Sequence, residues 1–368
     1  MRISISQVRV GPVERRLVAD VLDRGALVQG ELVAKLEHSF AHRAGSTFAV
    51  ATSSGTAALQ LALEVAGVGV GDEVITTPFT FGATLNAILG RGAVAHLVDI
   101  DPRTFNLNPR RVRSAMTSAT KAVVPVHLYG LPADMDSFQT LRDRTRVRIV
   151  EDAAQAHFAA QGGYRVGTMD LGCFSLYATK NLSAGEGGIV TGSSPEDEDT
   201  LRLLRNQGTR KPYDYAAIGY NYRLTELAAA IGLGQMAGLD DRMAARSRNA
   251  TLLTEALSQV RGLITPVVPA GYSHVWHQYT IRLTDRASLN RDQLSARLRD
   301  RGIEARVYYP QVLPDYPIYA QHPNVVAGPL PNARMVATQV LSLPVHHGLT
   351  PADVSEVADA IKYELGTR

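Results

Sequence analysis

From about residue 73 onward, short valine-rich apolar runs alternate with helical stretches of about 10–15 residues, and this alternation constrains the fold more than any other feature. Residues 73–77, 93–98, 123–128 and 147–151 read as strands, and residues 81–89 as a helix. Asn108 is placed to cap a helix that begins at Pro109, since proline suits a first helical position. Asp134 is placed to cap another, running to about residue 144. Continuous apolar strands separated by helical crossovers predict an α/β chain whose mainly parallel sheet is covered on both faces. Two further β-like runs, 173–177 and 188–191, precede a helix at 195–205 and a long helix from about 224 into the 242 region. Residues 274–283, 290–301, 303–309 and 351–365 then read as strand, helix, strand, helix. The expected division is a large α/β domain with an N-terminal arm over residues 1–245 and a small α+β domain over residues 246–368.

Composition narrows the function classes. Lys and Arg total 38 against 35 Asp and Glu, a formal net charge of +3. That balance is too weak to indicate a nucleic-acid or membrane partner. The arginine clusters at 110–113 and 142–148 read as solvated faces or strand approaches. No run nears the roughly 18 uninterrupted apolar residues of a membrane span, and residues 1–12 lack a signal-peptide core. A single cysteine, Cys173, excludes an internal disulfide and fits a reducing compartment. The expectation is a soluble cytoplasmic protein.

In open α/β sheets, ligands bind beyond the carboxyl ends of the strands, and three unusual segments fall at such ends. The first is Thr52-Ser53-Ser54-Gly55-Thr56, ahead of a helix over 57–66 that buries Leu59, Ala62, Leu63 and Ala66. Small residues opening a helix leave backbone N–H groups free for a phosphate, although a simple Ser/Thr cap would read the same way. No P-loop and no G-x-G-x-x-G run is present, so neither a nucleoside triphosphate nor a dinucleotide is indicated. The second segment is Glu151-Asp152-Ala153-Ala154-Gln155-Ala156-His157. A carboxylate such as Asp152 at the end of an apolar strand is solvated, paired or used. No metal-ligand spacing surrounds it, so no metal is expected, and His157 reads as a packed or surface histidine. The third segment is Ser175-Leu176-Tyr177-Ala178-Thr179-Lys180-Asn181, followed by Gly185-Glu186-Gly187-Gly188. Lys180 is either a surface charge or an amine that condenses with a carbonyl once its pKa is lowered. A phosphate cradle, a carboxylate for a pyridinium nitrogen and a lysine for an aldehyde are together what a pyridoxal 5'-phosphate enzyme requires.

With these segments in view, the sequence resembles the DegT/DnrJ/EryC1/StrS family of aminotransferases, which act on nucleotide-linked sugars. The resemblance spans nearly the whole chain. It includes Gly71-Asp72-Glu73-Val74-Ile75, Val98-Asp99-Ile100-Asp101, Pro125-Val126-His127-Leu128-Tyr129-Gly130 and Pro132-Ala133-Asp134-Met135-Asp136. It continues through the 151–155 run, Thr179-Lys180-Asn181 and Gly219-Tyr220-Asn221-Tyr222-Arg223. It implies an aspartate-aminotransferase-like, fold type I architecture.

The resemblance also implies roles. Lys180 matches the lysine that bonds to the cofactor aldehyde, and Asp152 the partner of the pyridine nitrogen. Gln155 matches a residue near the ring hydroxyl. Gly55 and Thr56 match the phosphate-binding pair, with Ser175 as a further phosphate contact. Phe81 occupies the place of an aromatic that stacks on the ring; core packing is its ordinary alternative. Asn221, or Arg223 in some members, reaches the phosphate of the neighbouring subunit, which implies a homodimer with shared active sites.

Members with histidine in place of the lysine are dehydratases, a branch that Lys180 argues against. The implied activity is a ping-pong Schiff-base transfer from glutamate or glutamine to a keto-sugar nucleotide. The 185–188 run favours a 4-keto-6-deoxyhexose over a 3-keto sugar. The other readings are a Ser–Lys hydrolase using Ser175 and Lys180, and a non-catalytic regulator that binds pyridoxal phosphate. His127, Tyr308, Tyr309, His346 and His347 are placed either near the substrate or in packing and surface positions.

Overall fold

The protein is described by a computed structural model, covering residues 1–366. Its centre is an eight-stranded sheet. Across the sheet the strands run Phe48–Thr52, Gly188–Gly192, Leu171–Ser175, Arg148–Asp152, Thr120–Val124, Glu73–Thr76, Val94–Leu97 and Val325–Ala327. Neighbours pair in parallel except at Gly188–Gly192, which is antiparallel to both of its neighbours. The sheet is therefore mainly parallel, as its continuous apolar strands predict. Val50, Val74, Val123, Ile149 and Val190 are all fully buried in it.

Local chemistry sets the helix starts. Asn108 accepts the Arg110 N–H at 3.0 Å ahead of the Pro109–Ala115 helix. Asp134 accepts the Ser137 N–H at 3.2 Å ahead of Met135–Thr145. Other boundaries moved. The helix expected from 224 to 242 is two, Glu226–Ala237 and Leu239–Leu257, broken at Gly238. The expected strand at 274–283 holds only from Tyr279, because Trp276 sits at φ 51° and interrupts the extended chain. The expected strand at 303–309 makes only isolated bridges, Ile303 with Ile3 and Arg306 with Ser342.

A second sheet, Leu263–Ile264, Tyr279–Leu283 and Val340–Leu343, is antiparallel and packs with helices Arg291–Asp300 and Pro351–Glu364 around Tyr279, Ile281, Leu294 and Ile361. Residue 245 lies inside the Leu239–Leu257 helix, not in a linker. That helix buries Leu239 against the large sheet's core and Leu253 and Leu257 in the second core. The chain also crosses back twice. Val325–Ala327 pairs with the edge strand Val94–Leu97, and Ile3 packs in the second core. The strand pairing and the burial of Ile3 thus tie the two halves together.

Candidate active site

The reversed strand draws the first and third segments together. Gly188 pairs with Thr52 on one side and Ser175 on the other, and a Cβ on Gly188 would lie 2.3 Å from the Ser54 carbonyl oxygen. The helix starts at Gly55, two residues earlier than expected, and Ser54 caps it by accepting the Ala57 N–H at 3.1 Å. The cap reading of this segment is therefore correct, and it leaves room for the other. Gly55 and Thr56 become the first helical residues, whose N–H groups have no intrahelical partner. A Cβ on Gly55 would lie 2.8 Å from Ser175 Cβ. The Ser175 hydroxyl accepts the Tyr177 N–H at 3.3 Å, and no hydrogen bond joins it to Lys180 among the described residues, which leaves the hydrolase reading without its dyad.

Asp152 ends its strand only 6% exposed. Its main chain is clamped, N–H to the Pro125 carbonyl at 2.9 Å and C=O from the His127 N–H at 3.0 Å. Oδ2 accepts the Thr84 hydroxyl at 2.7 Å and Oδ1 the Ala154 N–H at 3.2 Å. Burial pushes the carboxyl pKa up, opposed by those two hydrogen bonds and by the charge of Lys180. Lys180 follows the neighbouring strand in a turn closed by its N–H to the Tyr177 carbonyl at 2.9 Å. Desolvation lowers its amine to about 8, against the pull of the Asp152 charge. Burial in the protein alone therefore depresses this amine.

Gln155 is held at both ends. Its Oε1 accepts the Tyr129 N–H at 2.7 Å and its Nε2 donates to the Tyr309 hydroxyl at 3.1 Å. Phe81 caps the Gly82–Gly90 helix and is 64% exposed, so core packing does not explain it. Its ring lies 6.4 Å from that of Tyr309, tilted by 33°. Asn221 is exposed and bridges to Asn206, which also accepts from Arg223 at 2.8 Å. The loop touches its own chain's cradle as well, since the Tyr222 carbonyl accepts the Ser53 N–H at 2.8 Å.

Three of the flagged histidines are buried. His157 is buried against Phe40, Phe158 and Phe174, and desolvation lowers it to about 3. His127 Nδ1 accepts the Ala133 N–H at 3.0 Å, so Nε2 carries the proton and donates to Glu151 at 2.9 Å. Glu151 also accepts from Gly167 N–H, Met169 N–H and the Tyr164 hydroxyl. His346 Nδ1 accepts the Gly348 N–H and its Nε2 faces the Ser4 carbonyl at 3.1 Å. Among the described residues no three His, Cys, Asp or Glu side chains are grouped to hold a metal ion. Thr84 is the residue that sequence reasoning missed. Its signal was its place three after Phe81, one turn along a helix that opens at the strand ends.

Two helix-opening N–H groups beside Ser175, a buried carboxylate with no guanidinium or ammonium bonded to it among the described residues, and a desolvated amine fit pyridoxal phosphate. The comparisons agree. The model of the DegT/DnrJ/EryC1/StrS aminotransferase family matches residues 10–362. GDP-perosamine synthase of Caulobacter vibrioides is 36% identical over 99% of this chain and 98% of its own. The dTDP-3-amino-3,4,6-trideoxy-alpha-D-glucose transaminase of Streptomyces venezuelae is 40% identical over 94% of this chain and 90% of its own. The crystal structure of S. venezuelae DesV in complex with a ketimine intermediate superposes with TM-score 0.91 at 38% identity, over 96% of this chain and 95% of that one. The chain belongs to the DegT/DnrJ/EryC1/StrS aminotransferase family, has a fold of the fold type I class, and uses pyridoxal 5'-phosphate as its cofactor.

Proposed function

We propose that the protein moves an amino group from glutamate (or glutamine) to the keto carbon of a sugar nucleotide, with a 4-keto-6-deoxyhexose as the acceptor. The observation that carries this reading is the meeting of Lys180, Asp152 and the Gly55 cradle at the carboxyl edge of one sheet, in a chain related to nucleotide-sugar enzymes along its whole length. The bound cofactor supplies an aldehyde carbon that exchanges for an amino group and a pyridine ring that takes up electrons. Lys180 would hold that group through Nζ, and the freed Nζ would carry a proton to and from the reacting carbon as general base and acid. A pKa of about 8 suits both duties near neutral pH.

Asp152 would hold the proton on the ring nitrogen. Gln155, fixed by Tyr129 and Tyr309, would face the ring hydroxyl, and Phe81 would cover the ring. The N–H groups of Gly55 and Thr56, with the Ser175 hydroxyl, would hold the phosphate. Asn221 completes the phosphate site of a second subunit, so the working form is a homodimer in the cytoplasm. Amination at carbon 3 is the second reading, favoured by the 3-amino product in the name of the 40%-identical relative. Incubating the purified holoprotein with glutamate and a panel of 3-keto and 4-keto sugar nucleotides separates the two readings. Transfer to none of them would sink both.

A further inference from the structure

Thr84 lies in the first turn of the Gly82–Gly90 helix, where a threonine hydroxyl can bond back to the carbonyl four residues earlier. Here it does not. Its Oγ1 lies 2.7 Å from Asp152 Oδ2 and 3.0 Å from the Thr80 hydroxyl, and all three side chains are buried. An ionised carboxylate only accepts hydrogen bonds, so the one hydroxyl proton of Thr84 goes to Asp152. The contact with Thr80 then runs the other way, with Thr80 donating to Thr84. The result is a two-hydroxyl chain, Thr80 to Thr84 to Asp152, in which each bond polarises the next.

We propose that Thr84, backed by Thr80, is a positioning residue that keeps the Asp152 carboxylate ionised and aimed at the cofactor's ring nitrogen. This rests on the reading of Asp152 as the partner of that nitrogen. Burial alone favours a neutral carboxyl here, which would hold the ring proton poorly. A hydrogen bond to the charged form opposes that tendency. The same helix carries Phe81 at its N-cap, so the element that covers the ring also sets the charge on its nitrogen.

The test loads the protein with cofactor labelled with 15N at the ring nitrogen and reads that atom's chemical shift, alongside the cofactor dissociation constant. Without the Thr84 hydroxyl the carboxylate becomes more basic, and the proton shifts from ring nitrogen toward Oδ2. Thr84→Val should move the 15N shift part of the way to its value in Asp152→Asn, with cofactor affinity changed no more than in that variant. Thr84→Ser should restore the shift, and Thr80→Val should give a smaller move in the same direction. A shift unmoved in Thr84→Val but moved in Asp152→Asn overturns the role of Thr84 and leaves Asp152 in place. A shift unmoved in Asp152→Asn overturns both readings. Should Thr84→Val not fold, an unmoved shift in Thr80→Val overturns the hydroxyl chain.

Discussion

Gly55 approaches Ser175 so closely that a methyl group on the glycine would sit 2.8 Å from the serine Cβ and 3.2 Å from its Cα. The first residue of a helix thereby touches the last residue of a strand 120 positions away in sequence. Gly55→Ala should push the two apart. Overpacking of this kind costs about 1–3 kcal/mol of stability, and cofactor affinity should fall about tenfold. Adding Ser175→Gly should relieve the clash and recover thermal stability without recovering affinity, because the serine hydroxyl goes with it. Calorimetry and a cofactor titration separate the two effects. Wild-type affinity in Gly55→Ala would show that the close approach does not shape the cradle.

Lys180 should set a pH dependence. The neutral amine is the nucleophile, so the rate at which apoprotein is trapped on added cofactor by borohydride should rise through about pH 8 and level off above it. Lys180→Ala should abolish the trapping and the transamination.

The sign for stability follows from linkage. The folded pKa lies below the unfolded value of roughly 10.4, so the unfolded chain binds more protons between the two. Lys180 therefore destabilises the apoprotein fully below pH 8, and the penalty fades as pH rises toward 10. Lys180→Met should raise Tm at pH 7, with the gap narrowing at pH 10. A constant gap would count against a desolvated amine.

Asp152→Asn should keep most of the cofactor affinity and lower kcat about a hundredfold, since a preorganised charge at a reacting group is worth roughly 3 kcal/mol. Single-turnover kinetics with glutamate isolate this step. A rate within about twofold of wild type would remove Asp152 from the mechanism.

Asn221 and Lys180 should complement across subunits. Lys180→Ala and Asn221→Asp are each expected to be inactive, the second because it sets a negative charge beside the phosphate. If Asn221 serves the neighbouring site, a mixed dimer holds one site with both lesions and one with neither, so mixing should restore part of the activity. Loss of recovery after verified subunit exchange, or a monomer by light scattering, would end the shared-site proposal. Added cofactor should also strengthen the dimer by mass action.

The sequence by itself determined what local rules determine. Alternating apolar runs and helical spacers specify the parallel sheet, and Asn108 and Asp134 announce their helices, because a cap bonds within three residues of itself. The ordered motifs at 151–155 and 179–181 carry the family resemblance, which is legible along the chain without geometry. Tertiary structure decided what depends on partners distant in sequence. It exposed Phe81, which a helix-opening phenylalanine does not reveal alone. It turned His127 inward onto Glu151, and it brought Val325–Ala327 back to the sheet edge. It set Thr84 on Asp152, 68 residues away, where no spacing rule reaches. Burial, unlike periodicity, is a property of the assembled layers. The low amine pKa of Lys180 and the upward push on the Asp152 carboxyl therefore arise only when the two strand ends close over them.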